Sequence, residues 1–355
     1  MKRFLTLCLA LLSTPTFADT PVKVPGAMPT AAPGAMPAAL GGHVLPTDTT
    51  DTPATVQTVP LTLLSNGKFA VDTTINGKGP YKLLVDTGAE VMVIKPEVAK
   101  ACGLTVTDGN VEVQGPTGGF VPVGQANVDT ATIGGITMKK PVCTVESMSM
   151  PCDGLIGAPL FNMGVVKLDL AAQTLTTYAD GSFTADKDKT PLTIVFGSGR
   201  VPIVDGTVGG LDAHLEIDTG SAFPTELNGD FVDTNKLRDK FTKIGKVGHT
   251  SISGVAYSDV YDLQTLQIGG DTGNAIHGQI PSLFLDPKPD APKRAFDGRI
   301  GCPLLTGTVL TFDYPNAKLY FDPHPSTTPA VVDLSDTPPT PPTPATPTPS
   351  ATPSP

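Results

Sequence analysis

Several patterns that mark common functional classes are missing from this 355-residue sequence. No apolar run reaches the roughly 18 residues of a membrane helix, and the 24 Lys and Arg are outnumbered by 34 Asp and Glu. The five scattered histidines and the cysteine spacing do not resemble a zinc site, and neither a serine elbow nor His-Glu-x-x-His occurs. We therefore expect no membrane insertion, no nucleic-acid partner and no cofactor.

Both ends of the chain differ in composition from its middle. Residues 1–18 combine Lys2 and Arg3, a short apolar run and small residues before a cleavage point, which predicts a secretory signal peptide. The protein is therefore expected to be exported, to the periplasm or out of the cell, and loss of these two cations takes its net charge from -10 to -12. Residues 19–59, rich in Pro and Ala, and residues 326–355, rich in Pro and Thr, are predicted to be a disordered leader and a disordered tail.

Four cysteines follow the signal segment, and an oxidising compartment permits them to pair. Cys143 and Cys152, separated by eight residues, are the predicted disulfide. The alternative is that these two residues, Cys102 and Cys302 are four free, buried thiols.

The middle of the chain contains a duplication. The stretch "LLVDTGAEV" around Asp86 is repeated as "LEIDTGSAF" around Asp218, 132 residues later. A second pair, "DGLIGAPLF" from Asp153 and "DGRIGCPLL" from Asp297, aligns without a gap at an offset of 144. The second copy therefore carries about a dozen extra residues between its two motifs, as expected of loop insertions.

Each copy reads as short strands joined by tight turns, which predicts a mainly β fold with few short helices. The predicted units are residues 60–180 and 192–325, joined by a polar linker at 181–191. Helices are predicted at Pro96–Leu104, where Pro begins and Gly ends the pattern, and at Asp233–Phe241, which has capping residues and helical charge spacing.

The duplication places one aspartate at the same point of each copy. Two similar lobes pack most easily about a pseudo-two-fold axis, where Asp86 would face Asp218. Two carboxylates in contact cannot both ionise, so the pair holds one proton and serves as acid and base at once. Hydrolysis of a peptide bond by water needs that combination.

Two Asp-Thr-Gly turns, each entered by an apolar strand and followed by an apolar-Gly motif and a short Pro-Leu helix, resemble the aspartic proteases. The resemblance implies two homologous β-barrel-like lobes and an endopeptidase with Asp86 and Asp218 as catalytic residues. The short spacing between motifs is similar to that of a fused retropepsin-like dimer. The family pattern also implies that five residues support the turns, with the threonines bonded across the lobes: Thr87, Gly88, Thr219, Gly220 and Ser221.

A flap over the substrate is expected between the two motifs of each lobe. In the first lobe "VEVQGPTGGFVPV" resembles the glycine-rich flap of retroviral enzymes, and in the second "HTSISGVAYSDVY" offers a hairpin. The expected flap and substrate-binding residues are Gly118, Gly119, Phe120, Gly254 and Tyr257. Ordinary surface turns are the alternative for both segments.

Two residues depart from the family pattern. Glu216 replaces an apolar residue, and Arg299 intrudes on the later motif. Strand alternation points Glu216 to the face opposite the apolar one, and there Arg299 could pair with it near the surface. The alternative is that Glu216 faces the dyad and adds a third carboxylate to it. Ser221, unlike Ala89 in the first copy, is expected to donate its hydroxyl to the neighbouring aspartate.

The partner implied by the resemblance is a peptide or protein substrate, bound by a monomer. Two other classes compete. A protein of the same fold could bind peptides in its cleft without hydrolysing them, although it would then keep two repelling carboxylates to no purpose. A glycosidase with two acids would need no internal symmetry.

Overall fold

Strands dominate the described chain, which confirms the mainly β prediction. The computed structural model describes residues 3–6, 56–114, 120–179, 181–251, 254–269, 274–286 and 294–322. The strands form two sheets whose strand order has two ends, so the described strands close no barrel. Within these ranges no helix is long and apolar enough to cross a membrane.

The first copy contains most of the strands of the larger sheet. Its elements are β1 (Arg3–Thr6), β2 (Gln57–Leu63), β3 (Phe69–Ile75), β4 (Lys78–Val85), β5 (Met92–Ile94), α1 (Pro96–Cys102), β6 (Val106–Gln114), β7 (Phe120–Asn127), β8 (Thr130–Ile133), β9 (Ile136–Lys139), β10 (Val142–Val145), β11 (Gly154–Ile156), α2 (Ala158–Phe161), β12 (Val165–Asp169) and β13 (Thr174–Tyr178).

The second copy repeats this series. Its elements are β14 (Leu192–Thr193), β15 (Val195–Phe196), β16 (Pro202–Val208), β17 (Leu211–Asp218), β18 (Thr225–Leu227), α3 (Gly229–Thr234), α4 (Leu237–Lys240), β19 (Thr242–Ser251), β20 (Gly254–Asp262), β21 (Thr265–Ile268), β22 (Asn274–His277), β23 (Pro281–Phe284), β24 (Gly298–Gly301), α5 (Cys302–Leu305), β25 (Val309–Asp313) and β26 (Lys318–Asp322).

The two copies have the same strand order. The first runs β6-β7-β10-β5-β11-β4-β3, with β8 and β9 beyond β3, and the second runs β19-β20-β23-β18-β24-β17-β16-β21-β22. Each strand of these two series therefore has a counterpart at the same place, and the sequence repeat is a repeat of fold. Strand β1, which pairs with β6, lies in the predicted signal segment and outside the repeat. We call the two units the first and second lobe.

One part of the larger sheet is shared by the two lobes and joins them. Its order is β2-β13-β12-β25-β26-β14, and β12 pairs with β25 antiparallel, with Lys167 opposite Thr311. The linker predicted at 181–191 contains no helix or strand. The lobes are thus held together by backbone hydrogen bonds as well as by packing.

One helix prediction is accurate and the other is partly wrong. Helix α1 ends at Cys102, and Gly103 follows in the left-handed conformation with φ of 71°. The segment predicted as one helix at Asp233–Phe241 instead contains the end of α3 and the separate turn α4. Lys236 lies between them with a φ of 53°, which no helix interior accommodates.

The predicted disulfide does not form. Cys143 and Cys152 are free and buried, as are the other two described cysteines. Cys143 packs in the main apolar core and Cys152 in a smaller, separate cluster, so the two thiols lie in different apolar environments. The short sequence spacing was therefore misleading, and the alternative of free thiols holds.

Candidate active site

The two Asp-Thr-Gly turns occupy equivalent positions. Asp86 directly follows β4, and Asp218 is the last residue of β17. Each preceding strand is paired in parallel with the strand of the later motif, β11 in the first lobe and β24 in the second. Both aspartates are fully buried at 0% exposure, because apolar strands carry them into the contact between the lobes.

The threonines of the two turns bind each other reciprocally. The Thr87 N–H donates to Thr219 Oγ1 at 3.1 Å, and the Thr219 N–H donates to Thr87 Oγ1 at 3.0 Å. Each hydroxyl also donates across the interface, Thr87 to the Ile217 carbonyl and Thr219 to the Val85 carbonyl at 2.7 Å. This is the crossed arrangement that the resemblance implies, and it fixes one turn against the other.

Glycine in both turns permits a close approach of the carboxyl groups. A Cβ on Gly88 would lie 2.7 Å from Asp218 Cγ, and a Cβ on Gly220 would overlap the carboxyl of Asp86. Each carboxyl therefore lies against the opposite turn, where a side chain other than hydrogen would displace it.

The later motif supports each turn from below. Asp153 accepts a hydrogen bond from the Lys82 N–H at 2.8 Å, and Asp297 accepts the matching bond from the His214 N–H at 2.8 Å. The residue after the second glycine of each motif donates its N–H to the turn above it: Ala158 to the Ala89 carbonyl at 2.8 Å, and Cys302 to the equivalent Ser221 carbonyl at 3.1 Å. The repeated sequence thus encodes the same packing twice.

Burial and neighbouring charges set the protonation of the pair. Burial, followed by the negative charge of Asp218, raises the pKa of Asp86 well above its ordinary value. Burial also raises the pKa of Asp218, while the positive charge of Arg299 opposes the rise. Such an environment favours a pair that retains a proton where free aspartates have lost theirs.

Lys68 is a site residue that the sequence analysis missed. Its side chain is 1% exposed, and its ammonium has no hydrogen-bond partner among the described residues. Burial lowers its pKa, and the negative charges of Asp86 and Asp218 oppose that effect. A lysine after an Asn-Gly turn reads as a solvated residue, so the sequence contains no signal for this placement.

A cluster of charged groups surrounds Asp218. Arg299 binds Glu216 as predicted, with Nη2 to Oε2 at 3.0 Å, but both side chains are buried rather than near the surface. Glu216 therefore stands near the dyad, which was the less favoured alternative. Glu226, unremarked in the sequence, accepts a hydrogen bond of 2.8 Å from the Ser221 hydroxyl.

The expected contact of the Ser221 hydroxyl with the aspartate is wrong. The Ser221 backbone N–H, not its side chain, donates to Asp218 Oδ1 at 3.0 Å. The Ser221 hydroxyl donates instead to Glu226, so it can act on Asp218 only through that carboxyl.

The flap residues are only partly described. Strands β6 and β7 form the first hairpin, and Gly118 and Gly119 lie outside the described residues, as does the side chain of Phe120. In the second hairpin Gly254 pairs with Ser251 at the end of the ladder, and Tyr257 is 59% exposed. A hairpin around Gly254 was predicted, whereas contact with substrate stays a prediction for all five residues.

Residues 71–160 match the aspartyl protease family model. The match includes Asp86 and the later motif of the first lobe. The chain thus resembles the aspartic proteases, as its repeated motifs predict. The matched family supports aspartic-type peptidase activity in general and a protein substrate.

Two solved structures are similar to this chain at low sequence identity. Basic 7S globulin from soybean is 10% identical at a TM-score of 0.44, over 76% of this chain and 95% of that one. An aspartic proteinase from Irpex lacteus is 14% identical at a TM-score of 0.46, over 79% of this chain and all 100% of that one. No curated protein sequence matches this chain.

Proposed function

We propose that this protein is an exported aspartic-type endopeptidase in which Asp86 and Asp218 activate a water molecule. The observation that carries the proposal is the meeting of the two carboxyls between turns that are bonded reciprocally through Thr87 and Thr219. A single chain supplies both aspartates, so we expect the monomer to be active.

The chemistry follows from one proton shared by two carboxyls. The ionised carboxyl removes a proton from water while the water oxygen attacks the carbonyl carbon of the peptide. The protonated carboxyl donates its proton to the carbonyl oxygen. The carboxyl that took the proton from water then donates it to the amide nitrogen of the diol, and the other carboxyl removes a proton from a diol hydroxyl. The carbon–nitrogen bond breaks to give an acid and an amine, and the pair is left with its single proton. The raised pKa of Asp86 keeps the required acid available.

An extended peptide is the substrate form that this architecture favours. The hairpins β6–β7 and β19–β20 can provide strand-like hydrogen bonds to a peptide main chain, and alternate side chains would then enter pockets on either side. Tyr257, an exposed aromatic residue on the second hairpin, is our candidate for contact with a side chain of the peptide.

The test is cleavage of a peptide library by the full chain between about pH 3 and pH 7. Asp86→Asn and Asp218→Asn should each lower the rate by at least about 10²–10⁴-fold, the usual contribution of a general acid or base. Asp72→Asn and Asp205→Asn are matched controls, because these exposed aspartates lie on the neighbouring strands β3 and β16. Equal cleavage by Asp86→Asn and the parent would refute the mechanism.

Peptide binding without hydrolysis is a second candidate, favoured by Lys68. A buried ammonium next to the pair stabilises its doubly ionised form, which has no proton to donate. No cleavage at any pH, together with peptide binding that survives Asp86→Asn, would support this reading. The Lys68→Met variant distinguishes hydrolysis from binding. A gain of peptide cleavage in this variant would show that Lys68 suppresses hydrolysis by the aspartate pair.

A further inference from the structure

The strand pair beneath Asp218 is charged, whereas its counterpart in the first lobe is apolar. Glu216 on β17 lies opposite Arg299 on β24. At the same register in the first lobe, Leu84 on β4 lies opposite Leu155 on β11. The duplication therefore provides an internal comparison: two lobes with one architecture differ in charge at the strand pair that supports the aspartate.

The neighbouring strand extends this difference. Arg299 also lies opposite Glu226 of β18, whereas in the first lobe Val93 lies opposite Leu155. The Arg299 guanidinium is thus surrounded by three acids in the second lobe. Nη1 is 3.4 Å from Asp218 Oδ2 and 3.9 Å from Glu226 Oε2, and Nη2 is 3.0 Å from Glu216 Oε2.

Backbone donors add to the asymmetry. Asp218 Oδ1 accepts hydrogen bonds from the N–H groups of Gly220 at 2.9 Å and Ser221 at 3.0 Å. Asp86 accepts one such bond within the described residues, from Gly88 at 3.0 Å. Because donors and a guanidinium stabilise a carboxylate over a carboxylic acid, the two members of the pair are not equivalent.

We propose that Arg299 is a positioning residue that keeps Asp218 as the ionised member of the pair, so that the shared proton resides on Asp86. The proposal rests on the function proposed above and assigns a different role in hydrolysis to each aspartate. Asp218 removes the proton from water, and Asp86 donates its proton to the carbonyl oxygen of the peptide.

The other charged and titratable groups near Asp218 are consistent with this division. Lys68 acts on both aspartates and so does not by itself choose between them. Glu226 opposes the effect of Arg299, and the neighbouring Cys302 thiol, whose pKa is raised to about 11 chiefly by burial, is neutral.

Glu216 competes with Asp218 for Arg299 only when it is ionised. Burial raises the pKa of Glu216 to about 7, against the opposing charge of Arg299. Below that pH Glu216 is neutral, and the positive charge of Arg299 then interacts mainly with Asp218 and Glu226. The influence of Arg299 on Asp218 is therefore strongest in the acidic range where an aspartate pair titrates.

The experiment measures which aspartate ionises first. Carboxyl ¹³C signals of Asp86 and Asp218, assigned with the two Asp→Asn variants, are followed against pH in the full chain. In the parent, the lower apparent pKa of the pair should be carried by Asp218. Glu216→Leu/Arg299→Leu installs the apolar pair of the first lobe without leaving an unpaired glutamate at position 216, and should raise this lower pKa by about 1–2 units.

Two controls isolate the role of the guanidinium. Glu216→Gln should leave the lower pKa unchanged, because Glu216 is already neutral in that range. Leu84→Met/Leu155→Met repacks the equivalent pair of the first lobe without changing charge, and should titrate like the parent. The acidic limb of kcat/KM against pH should shift with the lower pKa of each variant.

Two results would overturn the proposal. One is a parent in which Asp86 ionises first, a measurement that needs no variant of Arg299 to fold. The other is a folded Glu216→Leu/Arg299→Leu protein that titrates like the parent. If the parent cleaves no peptide but Asp218 ionises first, the charge assignment stands and the proposed hydrolytic function fails.

Discussion

Replacing Thr87 by valine removes the crossed contact between the lobes while keeping the shape of the side chain. The substitution leaves the buried Thr219 N–H without its acceptor and the Ile217 carbonyl without its hydroxyl donor. An orphaned buried donor costs about 1–3 kcal/mol and a lost hydrogen bond about 0.5–1.5 kcal/mol, so the free energy of unfolding should fall by about 3 kcal/mol. Because the lobes share paired strands, we expect them to unfold as one unit, and for about 150–250 residues or more the loss corresponds to a Tm lower by about 6 to 12 °C.

Thermal unfolding followed by circular dichroism measures the effect. Thr87→Ser is the matched control, because it keeps the hydroxyl and loses only a methyl group. Thr219→Val should behave like Thr87→Val, and the double variant should lose less than the sum of the two, since the two side chains share their hydrogen bonds. If the Thr87→Val protein has the same Tm as the Thr87→Ser protein, the crossed hydrogen bonds contribute nothing to stability.

Three further results are expected. Gly220→Ala should abolish cleavage, because its Cβ would overlap the Asp86 carboxyl; a rate equal to that of the parent would mean that the turns are not in contact. Burial raises the pKa of Glu146 from 4.5 to about 7, so ionisation destabilises the fold as pH rises through that window, and Glu146→Gln should gain up to about 3 kcal/mol over the parent between pH 5 and pH 8 in urea unfolding. A constant difference across that range would refute the assignment. The four described cysteines should resist alkylation in the native protein and all react once it is unfolded without reductant; two unreactive thiols would restore the disulfide.

The duplication made much of the fold predictable. Two motifs repeated in order located both aspartates, the crossed threonines and the glycines, because these residues depend on local backbone geometry that recurs in each copy. Strand pairing places Glu226 at the position of Val93, where the first lobe is apolar, but the offset of 132 between the two Asp-Thr-Gly turns aligns Glu226 with Ile94 instead. The place of Glu226 in the charged cluster therefore required the strand register and not the sequence repeat alone.

Other features depend on contacts that no local pattern encodes. Lys68 follows an Asn-Gly turn, and only the packing of the second lobe against it makes its ammonium a buried neighbour of the pair. Cys143 and Cys152 are close in sequence, yet packing places them in separate apolar clusters. Whether Glu216 lies at the surface or inside was likewise decided by the strands on either side of it.

The sheet shared by the lobes has a consequence for the first lobe on its own. If the chain ended after β13, the edge of β12 that now pairs with β25 would expose its hydrogen-bonding groups to solvent. An open edge of this kind is a template for a second strand. Because the natural pairing is antiparallel, β12 of another copy could take the place of β25 with two-fold symmetry. A truncated first lobe is therefore expected to assemble as a homodimer, with two copies of Asp86 facing each other across its axis.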